Sequence, residues 1–172
     1  MNEVYLYLTA IKNIDNQNDM ILYCAYDFLN EHDEIIEPLK IVKNENGKPD
    51  FTKSCHFNLS HSKDYWICAI SYEEVGCDIQ IMKDIDYSKI VKKAFVEEVT
   101  NIEDFYTIWS GKEAYSKLTS LGLADFKNFK IDKHKVFKDG KNVANISYPK
   151  FRKDYKLAVC TYQRSNIILK EI

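Results

Sequence analysis

A ten-residue segment occurs twice. Lys63-Asp64-Tyr65-Trp66-Ile67-Cys68-Ala69-Ile70-Ser71-Tyr72 returns ninety positions later as Lys153-Asp154-Tyr155-Lys156-Leu157-Ala158-Val159-Cys160-Thr161-Tyr162, with four positions identical and Ile67/Leu157 and Ser71/Thr161 conservative. Both copies read as a strand followed by a second strand, which predicts duplicated α+β halves. A chain of 172 residues, 45% apolar and 29% charged, is long enough for one compact domain or two small subdomains sharing a core. We therefore expect an α+β protein of two similar, pseudo-twofold related subdomains, residues 1–86 and 87–172, each a helix packed on a small, mainly antiparallel sheet, with a site in the cleft between them. The echo breaks at one informative place, where Asp78 in the first half corresponds to Ile168 in the second.

The halves also differ in charge. Residues 1–86 carry −9 and residues 87–172 carry +7. Such polarity suits an anionic ligand or an acidic protein partner on the second half. Nucleic acid is not expected, because the basic half has neither a dense Arg cluster nor a recognition motif. No apolar run approaches the ~20 residues of a membrane helix, and MNEVYLYLTA lacks the basic start and apolar core of a signal peptide, so a cytoplasmic protein without a membrane segment is expected. The five cysteines are odd in number and never spaced C-x-x-C, which reads as small hydrophobes in a reducing compartment.

Period-2 and period-3.6 patterning divides the chain further. A strand is expected over 4–9, a helix over 19–30 and a turn over 45–49. Strands over 57–59, 66–72 and 77–82 would form one sheet. A short helix over 87–95 precedes a long one over 103–119, in which Phe105, Ile108, Trp109, Tyr115 and Leu118 line one face and Leu121-Gly122 marks the stop. Strands over 126–132, 134–138, 142–148, 155–162 and 167–170 would form a second sheet, with Asp139-Gly140 as a hairpin signal.

Three clusters carry chemistry. Phe57-Asn58-Leu59-Ser60-His61-Ser62 runs a strand into a Ser-His-Ser turn whose hydroxyls, imidazole and backbone N–H groups suit a phosphate oxygen; a hydrogen-bonded structural turn is the alternative. Gly76-Cys77-Asp78-Ile79-Gln80 places a carboxylate in a buried-strand pattern, where it needs a cation or several donors, and the two-residue period puts Gln80 on the same face. Trp109-Ser110-Gly111-Lys112-Glu113-Ala114-Tyr115-Ser116-Lys117 puts Glu113 and Lys117 one helical turn apart, as a simple surface ion pair would also do. Gly111 costs a helix interior about 1 kcal/mol, which signals close approach by another element.

Together with Gly47-Lys48-Pro49, these clusters resemble the 4′-phosphopantetheinyl transferases, particularly the monomeric pseudo-twofold class that activates carrier domains of synthetases. The matching pieces are GKP at 47–49, FNLSHS at 57–62, GCDIQ at 76–80, WSGKEAYSKLTSLGL at 109–123 and DYKLAVC at 154–160. The resemblance implies Mg²⁺-dependent transfer, with Mn²⁺ as a possible substitute, of the phosphopantetheine arm of coenzyme A to a serine of an acyl or peptidyl carrier protein. It also implies a monomer. By position, Asp78 and Glu113 look like metal ligands, with Gln80 beside them. Lys117 and His61 look like phosphate contacts and Lys48 and Ser60 like further coenzyme A contacts. Glu113 resembles the base for the carrier serine.

The chain departs from the family pattern twice. Many relatives carry an acid where Gln80 stands, so this site lacks one charge. Relatives also hold the nucleotide phosphates with basic residues in their N-terminal third, whereas residues 13–39 here contain no Lys or Arg, leaving Lys12 as the substitute. A catalytically weakened relative that binds coenzyme A or carrier protein without efficient transfer is the alternative reading.

Overall fold

A computed structural model describes residues 2–34, 38–45, 47–52 and 54–172. The chain forms four layers: helix α1 (Gln17–Glu31), a four-stranded sheet, a five-stranded sheet, and helix α3 (Ile102–Thr119). The first sheet comprises β1 (Asn2–Ala10), β4 (His56–Ser62), β5 (Tyr65–Ser71) and β11 (Ser165–Glu171) in the order β11-β1-β5-β4. The second comprises β6 (Val75–Ile81), β7 (Lys130–Asp132), β8 (Lys135–Lys138), β9 (Lys141–Ser147) and β10 (Tyr155–Thr161) in the order β6-β10-β9-β8-β7. A short hairpin, β2 (Ile41–Lys43) with β3 (Pro49–Phe51), and the short helix α2 (Ser88–Ala94) complete the fold.

The α+β class matches the sequence reading, but the sheets do not divide as expected. Strand β6 pairs antiparallel with β10 from the second half, in the register Asp78↔Ala158 and Gln80↔Lys156, and β11 returns to pair parallel with β1. Each half thus gives its last strand to a sheet built mainly by the other. The physical reason is burial on both faces. In β1, Tyr5 and Tyr7 pack toward α1, while Val4, Leu6 and Leu8 pack against Val75, Cys77, Ile79, Leu157 and Val159 of the second sheet. Apolar faces on both sides permit sheet-on-sheet stacking, which hydrophobic pattern alone does not place in one sheet or the other.

Local chemistry sets the helix ends. Asn16 caps α1 by accepting from the backbone N–H groups of Asn18 (2.9 Å) and Asp19 (3.4 Å), and Asn101 caps α3 through the N–H of Asp104 (2.9 Å). Glu103 and Asp104 in the first turn and Lys117 in the last complement the helix dipole. The stop falls at Ser120, which takes the left-handed conformation (φ 58°), rather than at Gly122 (φ −95°). The strand expected from Phe126 is instead a 3-10 helix over Leu123–Asn128, and β7 begins only at Lys130. The expected turn over 45–49 includes Asn46, which lies outside the described residues; Gly47 beside it has φ +77°, a conformation that favours glycine. All five cysteines are free and buried. Among the described residues, no helix is long and apolar enough to cross a membrane.

Candidate active site

The site forms where β6 lies across α3. Gly76 makes this crossing possible: a Cβ there would stand 2.0 Å from the carbonyl oxygen of Ala114 and 2.6 Å from the backbone nitrogen of Leu118. Gly111 serves the other side of the same helix, where a Cβ would meet the Tyr148 hydroxyl at 2.6 Å and Ile131 Cδ1 at 2.8 Å. Close packing at Gly76 carries the next outward residue of β6, Asp78, over the last turns of α3.

Asp78 is 3% exposed at its side chain and accepts three hydrogen bonds. Its Oδ1 accepts from Lys117 Nζ at 2.8 Å and from Ser60 Oγ at 2.8 Å, and its Oδ2 accepts from Gln80 Nε2 at 2.8 Å. Lys117 Nζ also donates to Ser60 Oγ (2.9 Å) and to the carbonyl of Cys77 (3.1 Å). Burial opposes the Lys117 charge, but Asp78 and Glu113 outweigh it and hold the ammonium above its ordinary range. Glu113, one turn before Lys117, is half-buried and makes no hydrogen bond to the described residues. Burial raises its carboxyl above the usual carboxylate range; the negative charge of Asp78 adds to this and Lys117 partly reverses it.

Two cavities meet at Glu113 and Lys117. One, of about 440 Å³, is also lined by Ser60, His61, Asp78, Gln80, Trp66 and Gln17. The other, of about 420 Å³, is lined by Gly47, Lys48, Asn58, Ser116 and the loop Ser120–Leu123. Lys48 reaches toward the site by donating to the carbonyl of Val75 (3.3 Å), and burial lowers its pKa. The structure therefore brings together seven of the eight sequence-predicted residues: Lys48, Ser60, His61, Asp78, Gln80, Glu113 and Lys117. Lys12 is exposed in the 3-10 turn Ile11–Asn13 and lines neither cavity, although that turn follows the end of β1 that pairs with Trp66 beside His61. Gln17, an uncharged residue at the start of α1, faces the cavity instead.

The donor set fits a hard divalent cation. Among the described residues no three His, Cys, Asp or Glu side chains cluster, so the protein would supply two carboxylate oxygen donors and leave the remaining positions to water and ligand oxygens. The negative charge of Asp78 acts on Glu113, and a cation beside both would offset it.

One residue of the helix motif escaped the sequence reading. Lys112 is completely buried; its Nζ lies 3.0 Å from Glu97 Oε1 and donates to the carbonyls of Phe126 (2.7 Å) and Phe129 (2.9 Å). Glu97 in turn accepts from the backbone N–H of Ile131 at 2.7 Å. This buried pair pins the loop that follows α3, and it explains why the chain around Phe126 coils rather than extends. The signal was available: Lys112 stands on the stripe Phe105, Ile108, Trp109, Tyr115, where a lysine must find a buried partner.

Residues 74–160 match the 4′-phosphopantetheinyl transferase superfamily. The 4′-phosphopantetheinyl transferase gsp of Aneurinibacillus migulanus is 33% identical over 171 residues, covering 90% of this chain and 63% of that protein. The 4′-phosphopantetheinyl transferase psf-1 of Bacillus pumilus is 36% identical over 90 residues, 46% of this chain and 39% of its own length. The enzyme Sfp of Bacillus subtilis is 28% identical over 143 residues, 71% of this chain and 62% of its own. The chain belongs to the 4′-phosphopantetheinyl transferase superfamily. It spans just under two thirds of the length of gsp and Sfp.

Proposed function

We propose that this protein transfers the 4′-phosphopantetheine arm of coenzyme A to a serine of an apo acyl or peptidyl carrier protein, in the cytoplasm and with Mg²⁺ or Mn²⁺. The observation that carries this reading is the convergence of Asp78, Glu113 and Lys117 on one cavity wall, with Lys48 across the adjoining cavity. In the reaction the serine Oγ forms a bond to the β-phosphorus of coenzyme A. The P–O bond to the bridging oxygen breaks, and adenosine 3′,5′-bisphosphate leaves with that electron pair. The serine proton passes to Glu113, directly or through a water; this carboxylate makes no hydrogen bond to the described residues and faces both cavities.

Asp78 and Glu113 would hold the metal, with Gln80 beside them, and the bound cation supplies charge neutralisation at the pyrophosphate. Lys117, its three N–H groups held by Asp78, Ser60 and the carbonyl of Cys77, is a fixed positive charge that acts on the phosphates through space. His61 and Lys48 extend phosphate contacts into the two cavities.

A second reading, coenzyme A or carrier binding without efficient transfer, is favoured by one observation: residues 13–39 carry no Lys or Arg, and it is Gln17 that faces the cavity from this stretch. Incubation with coenzyme A, Mg²⁺ and a panel of apo carrier proteins, read by intact mass, decides. The expected result is a gain of one phosphopantetheine on at least one carrier. Binding of coenzyme A with no mass gain on any carrier would establish the second reading.

A further inference from the structure

Strands β4 and β6 run side by side but belong to different sheets. What joins them is a ladder of side chains. Asn58 Oδ1, Ser60 Oγ and Ser62 Oγ accept from the backbone N–H groups of Cys77 (2.9 Å), Ile79 (3.3 Å) and Ile81 (2.9 Å). Donors and acceptors both step by two residues, so every rung uses the same face of β4 and the same edge of β6. Three side-chain oxygens thus do for β6 what the carbonyls of a neighbouring strand would do, and they close that edge of the second sheet.

Ser60 alone among the three hydroxyl and amide groups also touches the carboxylate of Asp78. Its hydroxyl donates to Asp78 Oδ1 at 2.8 Å while accepting from Ile79 N and, at 2.9 Å, from Lys117 Nζ. A serine hydroxyl has one hydrogen and two acceptor lone pairs, and all three are committed. A coenzyme A oxygen or hydroxyl could bond to Ser60 only by breaking one of them. We infer that Ser60 is a positioning residue, which fixes the Asp78 carboxylate and the Lys117 ammonium relative to each other, and that it is not a contact for coenzyme A. The role for Asp78 rests on the transferase reading above, whereas the saturation of Ser60 does not. Ser62 is a built-in control, because it makes the same kind of rung to Ile81 and no contact with Asp78 or Lys117.

The test compares Ser60→Ala, Ser60→Thr and Ser62→Ala by three readouts: Mn²⁺ binding to the protein alone by electron paramagnetic resonance, the split between kcat and the KM for coenzyme A, and thermal stability. Supporting groups around a metal ligand are worth roughly 10-fold or more in affinity or activity. Ser60→Ala is expected to weaken Mn²⁺ binding and lower kcat by about that factor, with KM for coenzyme A within about twofold of wild type. Ser60→Thr keeps the oxygen and should recover most of both. Ser62→Ala, which removes one rung only, should lose less stability than Ser60→Ala and keep its Mn²⁺ affinity and kcat.

If Ser60→Ala does not fold, Ser60→Cys, which keeps the size but bonds weakly, carries the same expectation. A rise in the coenzyme A KM at unchanged Mn²⁺ affinity would make Ser60 a ligand contact and overturn the proposal. Equal losses of Mn²⁺ affinity and kcat in Ser60→Ala and Ser62→Ala would make the effect merely structural and overturn it as well. Because Mn²⁺ binding is read without coenzyme A or carrier, a wild-type protein that transfers nothing counts against the transferase reading, whereas equal Mn²⁺ affinity in wild type and Ser60→Ala counts against Ser60.

Discussion

Gln80 turns its amide nitrogen, not its oxygen, toward Asp78, with Nε2 2.8 Å from Oδ2. An amide can satisfy the Asp78 carboxylate in the absence of a cation; a carboxylate in the same place cannot. Gln80→Glu should therefore melt at a lower temperature than wild type without metal and gain more from added Mg²⁺. Its half-saturating Mg²⁺ concentration for transfer should also fall, while kcat at saturating metal changes less, because charge added to ground and transition states alike acts on binding. Thermal scans with and without Mg²⁺ check this. An equal or smaller metal-induced shift would place position 80 away from the cation.

Asp78→Ala and Glu113→Ala should each reduce kcat/KM to less than about a tenth of wild type, a loss above ~1.4 kcal/mol of transition-state stabilisation. Circular dichroism should show an unchanged fold. Retention of more than a tenth of the activity in either variant would remove that residue from the proposed metal pair.

The two glycines of the crossing should differ in cost. At Gly76 an added Cβ meets backbone atoms of α3 at 2.0 and 2.6 Å, which cannot yield without moving the helix. Gly76→Ala should cost at least about 3 kcal/mol, the upper range of overpacking. At Gly111 the Cβ meets the ends of the Tyr148 and Ile131 side chains, which can rotate, and alanine recovers about 1 kcal/mol of helix propensity. Chemical denaturation should rank Gly76→Ala well below Gly111→Ala. The reverse order would mean that β6 is not held against α3 as described.

His56 and Asp50 form a pH-sensitive pair where β3 meets β4. His56 Nδ1 and Asp50 Oδ2 are 2.7 Å apart. The bond to Asp50 raises the His56 pKa above its ordinary 6.5, although burial opposes this. Burial pushes the Asp50 carboxyl up, but the bonds from His56 and from the backbone of Phe51 and Phe57 more than reverse it, to below the ordinary 3.8. The His56 contribution to stability is complete below 6.5 and is lost as pH rises through its raised pKa. The Asp50 contribution is complete above 3.8 and is lost as pH falls through its lowered pKa. The pair therefore contributes fully only between these ordinary values. Unfolding of wild type and His56→Gln across pH 4 to 8 should show the difference between them greatest near pH 5 and declining toward pH 8. A difference that is constant with pH would show that His56 is not charged in the pair.

An acidic carrier would be drawn to residues 87–172, which hold the +7 excess. Its KM should rise as salt shortens the screening length from about 10 Å at 0.1 M to about 3 Å at 1 M. A KM independent of salt over this range would exclude electrostatic docking.

Much of the site was legible because its motifs carry their own local signals. Asp78 in an apolar strand, and Glu113 with Lys117 one turn apart, stand out by residue type and period, and α3 was expected within one residue of its observed start. What could not be read depends on partners distant in sequence. Strand alternation places Cys77 and Ile79 on a buried face but does not say that the sheet opposite is built from β1 and β5. The coil at Phe126 is imposed by Lys112 reaching across from α3, and local propensity favoured a strand there. The Ser60 and Ser62 hydroxyls accept from the edge of β6, a strand that no reading of residues 57–62 alone would bring alongside.

The exchange of last strands has a mechanical consequence. Asp78 belongs to the first half of the sequence, but β6 is hydrogen-bonded into the sheet on which α3 rests, so it shares a rigid support with Glu113 and Lys117. His61, on β4, belongs to the opposite layer. The rungs from Asn58, Ser60 and Ser62, and the bond from Lys48 Nζ to the carbonyl of Val75, tie both basic residues back to β6. One strand is thus the common reference for every charged group of the cleft, the carboxylates through its sheet and the basic residues through its free edge.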